Sequence, residues 1–99
     1  MRRFTDFAGD TVKLSRETEK HISSAHSEIT SDLIAKTLED PDELRNSSYN
    51  AASILYYRLK IKKRYICVVV KKCSDGFFIS TAMTTTKPKS GEVIYVREK

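Results

Sequence analysis

The first half of the chain has the apolar spacing that is typical of two amphipathic helices. Ser15 is a suitable N-cap for the first helix, which would begin at the next residue. Thr30 or Ser31 could cap the second helix, which the proline at position 41 would end. The residues that would face the core are Thr18, Ile22, Ala25 and Ile29 in the first helix and Leu33, Ile34, Thr37 and Leu38 in the second.

In the second half of the chain, apolar and polar residues alternate, as they do in β-strands. Four segments predict a meander: SILYYRLKI, YICVVVK, FFISTAM and EVIYV. A turn at Asp75-Gly76 would join the second and third strands, and DTVKLS near the start is an edge strand or an extended arm. Strict alternation in the third strand would place Phe77, Ile79, Thr81 and Met83 on one face, opposite Phe78, Ser80 and Ala82.

Helices followed by strands indicate an α+β fold. We expect two N-terminal helices packed on a four-stranded antiparallel β-sheet, in a single domain that covers residues 1–99. A chain of 99 residues suits one modest core, and its content of 39% hydrophobic and 31% charged residues is that of a globular protein.

The composition also indicates the cellular compartment in which the protein works. The longest apolar run, YICVVV, is too short to cross a bilayer, and the first ten residues lack the apolar segment of a signal peptide. Cys67 and Cys73 have neither the number of a disulfide framework nor the spacing of a zinc site. These features predict a cytoplasmic protein with reduced thiols, with no membrane partner and with Cys67 buried as a small apolar residue.

The charge is distributed very unevenly along the chain. The net charge is +5, yet residues 1–43 carry ten acids and six bases, whereas residues 44–99 carry three acids and twelve bases. Residues 44–74 contain no acid and eight bases. The electrostatic field of such a positively charged stretch attracts polyanions, so nucleic acid is the first expected partner and an acidic protein the second. For Lys62 and Lys63 alone, a solvated hairpin tip explains the charge equally well.

His21 and His26 are the two histidines of the chain, and histidine is the side chain best suited to acid–base or metal chemistry near neutral pH. Five positions on a regular helix separate two side chains by roughly 140°. That spacing argues against a zinc pair, for which the histidines lie four positions apart, and no metal or other cofactor is expected. It also predicts that the two histidines lie on opposite flanks of the helix and serve separate purposes, whether catalytic or merely packed.

The sequence supplies each group that a metal-independent ribonuclease requires. Such an enzyme needs a base for the 2′-hydroxyl, an acid for the leaving 5′-oxygen, and groups that stabilise the charged phosphorane. Tyr56 shares a predicted strand face with basic residues and is a better candidate for base stacking than Tyr57, which lies among apolar residues. The remaining candidates are His21 or His26, the bases Arg58, Lys60 and Lys71, and the hydroxyls Ser80, Thr81, Thr84 and Thr85.

Several segments in order, DFAGDTVKLSRETEKHISSAHSEI, TLEDPDELRNS, LYYRLK, YICVVVKK and FFISTAMTTTKPKSGEVIY, resemble small phage and bacterial members of the barnase–EndoU–colicin–RelE-like nuclease superfamily. The resemblance covers residues 9 to 96. It implies a RelE-like α+β fold, metal-independent cleavage of RNA, and a role as a toxin or stress effector that an acidic antitoxin or immunity protein would bind.

The resemblance also implies which residues form the site. The catalytic set would be His21, His26, Arg58, Lys71 and Thr81. Between the histidines, we expect His21 to serve the chemistry, because His26 lies near the expected helix end, where the helix dipole favours its charged form and suits contact with phosphate. The alternative is a protein without catalysis, either a basic RNA-binding module or a toxin-like subunit that is bound by an acidic partner. The RNA-binding set would be Tyr56, Tyr57, Lys60, Lys62, Lys63, Arg64, Thr84 and Lys87.

Overall fold

The computed structural model describes residues 1–48, 52–61, 64–86 and 91–97, with only the backbone of residues 60 and 61. None of the helices in this part of the chain is long and apolar enough to cross a membrane. The elements are β1 (Arg2–Thr5), β2 (Thr11–Leu14), α1 (Arg16–Ala25), α2 (Ser31–Glu39), β3 (Glu43–Asn46), β4 (Ser53–Ile61), β5 (Arg64–Cys73), β6 (Gly76–Thr85) and β7 (Val93–Val96).

The expected fold, two helices on a four-stranded antiparallel sheet, was wrong. The described strands form one mixed sheet of seven, in the order β1-β2-β6-β5-β4-β3-β7. β2 and β6 run parallel, and the other neighbours are antiparallel. β1 and β3 are four residues each, which is too short for an alternating pattern to stand out, and strand pairing between distant segments leaves no local signal.

Both helices begin at the predicted caps. The Ser15 hydroxyl accepts a hydrogen bond from the N–H of Thr18 at 3.1 Å, and the Thr30 hydroxyl accepts one from the N–H of Leu33 at 3.2 Å. α1 ends at Ala25, so the helix is shorter than the predicted apolar stripe, which continues to Ile29. His26 is its C-cap, with a non-helical backbone (φ −138°, ψ 62°).

The two faces of the sheet carry separate apolar clusters. On the helix side, Ile22 of α1 and Leu38 of α2 pack with a row of strand residues that includes Ile66, Val68 and Val70. On the other side, the helix-free face, the buried cluster consists of Leu55, Tyr57 and Cys67, with Tyr65, Val69 and Met83 packed against it. Cys67 is therefore buried as predicted.

A β-bulge in β6 changes which residues share a face. Val69 pairs with Thr81 while Val70 pairs with Ile79, so Ser80 is an extra residue on β6. Ile79 and Ala82 consequently both lie in the helix-side core, and Thr81 lies on the helix-free face with Val69. The strict alternation predicted for FFISTAM was wrong beyond this point.

The sheet is bent enough to bring its two ends together. Phe7, in the turn between β1 and β2, lies with its ring centroid 4.7 Å from that of Tyr95 in β7, although these strands are at opposite edges. The N–H of Phe7 also donates to the carbonyl of Leu38 at the end of α2. The curved sheet thus encloses α2, while α1 packs against β6.

Candidate functional site

The two histidines lie side by side, contrary to the prediction from their spacing. Their ring centroids are 6.5 Å apart and the rings meet edge to face, at 77°. The prediction assumed a regular helix through both residues, whereas the backbone leaves the helix at His26 and carries that side chain back towards His21. His21 is exposed and His26 half-buried, so both rings can be reached from solvent.

The strand beneath α1 places one predicted hydroxyl on the same side of the sheet as the histidines. Thr84 pairs with Ile66, a residue of the helix-side core, so Thr84 faces the helices too. Arg58 pairs with Ile66 from the other side. Arg58 and Thr84 are therefore in one row, two strands or about 10 Å apart.

A cavity of about 290 Å³ lies where α1 leads into α2, and its lining includes Ser27, the residue after His26. Its wall is apolar at Leu14, Ile22, Ile29 and Ile34, and its other lining residues are Glu19 and a group of hydroxyl residues. The four hydroxyl residues lie within five positions of His26 on the chain and could donate to or accept from a polar ligand. They are Ser23, Ser27, Thr30 and Ser31.

Arg58 is held at the end of α2 by an ion-pair cluster. Its Nη1 lies 3.2 Å from the Asp40 carboxylate and 2.5 Å from the Asp40 carbonyl oxygen. Arg97 binds the same residue, through a salt bridge of 2.5 Å, and also lies 3.5 Å from Asp42. Asp40 and Asp42 lie just before residues 44–74, which contain no acid, and the charge pattern alone did not predict this cluster. Through it, Arg58 links β4 to the end of α2.

Tyr56 and Tyr57 are both buried, which leaves neither ring exposed for stacking on a base. Tyr57 is fully covered on the helix-free face. Tyr56 is 3% exposed on the helix side, where its hydroxyl donates a hydrogen bond of 3.0 Å to the Asp6 carboxylate. Burial, reinforced by the negative charge of Asp6, raises the pKa of Tyr56 well above its ordinary value. Both tyrosines are therefore core residues, as their exposures of 3% and 0% show.

The other predicted residues are dispersed. Thr81 and Lys71 lie on the helix-free face, away from the histidines, with Lys71 exposed near the end of β5. Arg64 is exposed at the start of β5. Lys62, Lys63 and Lys87, and the side chain of Lys60, are outside the described residues.

The structure also brings together a pair that sequence reasoning missed. The Nζ of Lys13 lies 5.5 Å from the centroid of the Phe78 ring, within the range of a cation–π contact. The pair depends on the parallel alignment of β2 with β6, in which Lys13 is opposite Phe78. No local sequence pattern predicts that alignment, because Lys13 and Phe78 are 65 positions apart in the chain.

A protein-family model described as phage-Barnase-EndoU-ColicinE5/D-RelE like nuclease2 matches residues 1–96. No curated protein and no solved structure matched the chain.

Proposed function

The chain belongs to the phage-Barnase-EndoU-ColicinE5/D-RelE like nuclease2 family, and from that premise we propose that it is a metal-independent endoribonuclease in which His21 and His26 act as an acid–base pair. The observation that carries the proposal is the separation of 6.5 Å between two solvent-accessible imidazoles. A ring nitrogen acts over a hydrogen bond of about 3 Å. Two rings at this separation could therefore both reach one phosphodiester placed between them.

The reaction needs the two imidazoles in opposite protonation states. The neutral imidazole removes the proton from the 2′-hydroxyl, whose oxygen then attacks phosphorus. As the bond from phosphorus to the 5′-oxygen breaks, the protonated imidazole donates its proton to that oxygen. The products are a 2′,3′-cyclic phosphate and a free 5′-hydroxyl, and the two histidines have exchanged protonation states. We assign the base to His21, which is the more exposed, and the acid to His26.

The remaining groups have supporting roles in this proposal. Thr84, on the same side of the sheet, would donate to a phosphate oxygen, and the hydroxyls of the cavity where α1 leads into α2 would contact neighbouring nucleotide groups. Arg58, which is paired with Asp40, would hold the end of α2 in place. Thr81 and Lys71 face the other way and have no part in the chemical step.

Cleavage of a labelled RNA in the presence of EDTA tests the proposal. The wild-type protein should produce 2′,3′-cyclic phosphate ends, and His21→Ala and His26→Ala should each lower the rate about 10²- to 10⁴-fold, the usual contribution of a positioned acid or base. Ser24→Ala, at an exposed position of the same helix, is the control and should leave the rate unchanged.

Two results would overturn the mechanism. One is cleavage that survives both histidine substitutions; the other is salt-sensitive RNA binding by the wild-type protein without products, which is the behaviour of a binding module. The same variants address the proposed biological role as a toxin or stress effector. Growth inhibition on expression of the wild type should disappear with His21→Ala.

A further inference from the structure

We propose that the helix-free face of the sheet carries a subsite for single-stranded nucleic acid, formed by Phe78 with Lys13 and Lys71 on either side. The inference rests on the proposed function only for the identity of the polymer as RNA. The site is separate from the histidines, because it lies on the opposite face of the sheet.

The strand registers place these residues in one row. Lys13 of β2 is opposite Phe78 of β6, and Phe78 is opposite Lys71 of β5. The preceding residue in each of β2 and β6, Val12 and Phe77, packs into the helix-side core. Since side chains alternate along a strand, all three members of the row point to the helix-free face.

The spacing of the row suits a nucleotide. Neighbouring strands are about 4.8 Å apart, so the two lysines stand roughly 10 Å apart with the phenyl ring between them. The ring is half-buried and therefore held in place, yet one part of it is open to solvent. A base could stack on this ring while the ammonium groups contact the phosphates before and after it, which is a common mode of binding to single strands.

The two lysines of the row keep their charges available to a ligand, although the Lys13 Nζ also lies 5.5 Å from the centroid of the Phe78 ring. Among the described residues, neither Lys13 nor Lys71 forms an ion pair, whereas Arg45 is bound to Glu43 and Arg58 to Asp40. The nearest acids along the chain, Asp10 and Asp75, lie in the turns that precede β2 and β6. The row is thus a place where the excess of positive charge is joined to an accessible aromatic ring.

Binding of a short 2′-O-methylated oligouridylate, followed by fluorescence anisotropy at several salt concentrations, tests the subsite without cleavage. Phe78→Leu should weaken binding about five- to hundredfold through loss of stacking and leave the salt dependence unchanged. Phe78→Tyr keeps the ring and should bind as the wild type does. Lys13→Ala and Lys71→Ala should each lower the slope of log K against log salt by about 0.7.

Two control variants are matched to these changes. Lys72→Ala removes the next lysine of β5, which is exposed but opposite Phe77 on the helix side. Phe7→Leu removes a similarly accessible phenyl ring that packs against Tyr95 on that same side. Equal losses in the controls, or wild-type affinity in Phe78→Leu, would refute the subsite.

Cleavage assays on the same variants separate this inference from the proposed function. If the wild type cleaves RNA but Phe78→Leu binds the oligouridylate normally, the subsite is refuted and the ribonuclease proposal stands. If the row binds the oligouridylate as described but no RNA is cleaved, the subsite stands and the mechanism is refuted. Binding of an acidic protein through the row, without binding of the oligouridylate, would refute the nucleic-acid assignment.

Discussion

At the scale of single residues, adjacent side chains of β4 have very different surroundings. Tyr56 and Tyr57 are both buried, but on opposite faces of the sheet. The Tyr56 hydroxyl donates a hydrogen bond to the Asp6 carboxylate, which also accepts from the N–H groups of Ala8 and Asp10. The bond joins the β1–β2 turn to the middle of the sheet, so it should contribute to the stability of the fold.

Tyr56→Phe should lower the free energy of unfolding by about 1.5–3 kcal/mol at neutral pH, the usual worth of a hydrogen bond to a charged group. Because the pKa of Tyr56 is raised in the folded state, its contribution is complete below the unfolded pKa of about 10 and is lost as the pH rises above that value. Urea unfolding measured from neutral to alkaline pH should therefore show the difference between wild type and variant shrinking above about pH 10. A constant difference across that range would contradict the assignment.

At the scale of elements, short connections decide where side chains go. The C-cap conformation of His26 brings the two histidines together, and the bulge at Ser80 moves Thr81 to the other face of the sheet. Gly91 has a comparable role before β7. Its φ of +154° is rare for other residues, and an added Cβ would overlap the carbonyl oxygen of Asn46 at the end of β3.

Gly91→Ala should destabilise the protein by more than the 1–2 kcal/mol, roughly, that an unfavourable φ alone costs, because β7 must also move away from Asn46. Gly9→Ala is the matched control: its φ is +87°, and an added Cβ meets nothing within 4 Å. Urea unfolding of both variants gives the comparison. Equal destabilisation would show that the close approach to Asn46 is unimportant.

At the scale of the whole molecule, the two edges of the sheet differ in charge. The edge strand β1 includes Arg2 and Arg3, of which Arg2 forms a salt bridge with Glu19. The edge strand β7 has no charged residue and exposes Val93, Ile94 and Val96. Exposed uncharged edges are the usual starting points for strand pairing between molecules, and charged residues suppress it.

Ile94→Lys should therefore raise the yield of soluble protein on refolding at high concentration, as measured by light scattering. Thr5→Lys adds the same charge to the exposed side of β1 and should give little improvement, because that edge is already charged. Equal improvement in both variants would indicate an effect of net charge and not of the β7 edge.

The sequence by itself determined the local features of this protein. Ser15 caps α1 as predicted, and Thr30, one of the two residues predicted for α2, caps that helix, because a cap is a contact between residues three positions apart. Gly76 turns the β5–β6 hairpin at positive φ, and the faces of β4 alternate as expected. The ordered segments that resemble the nuclease superfamily agree with the family match over residues 1–96.

Only the tertiary structure decided which residues lie together. The alignment of β2 with β6 and of β3 with β7 joins segments that are far apart in sequence, and such pairing depends on the packing of the whole sheet. The non-helical backbone at His26 places its ring beside that of His21. The extra residue in β6, Ser80, places Thr81 on the opposite face of the sheet from the histidines. The candidate site therefore contains the predicted histidines in an arrangement that a regular helix excludes, because a single change in backbone conformation redirects a side chain.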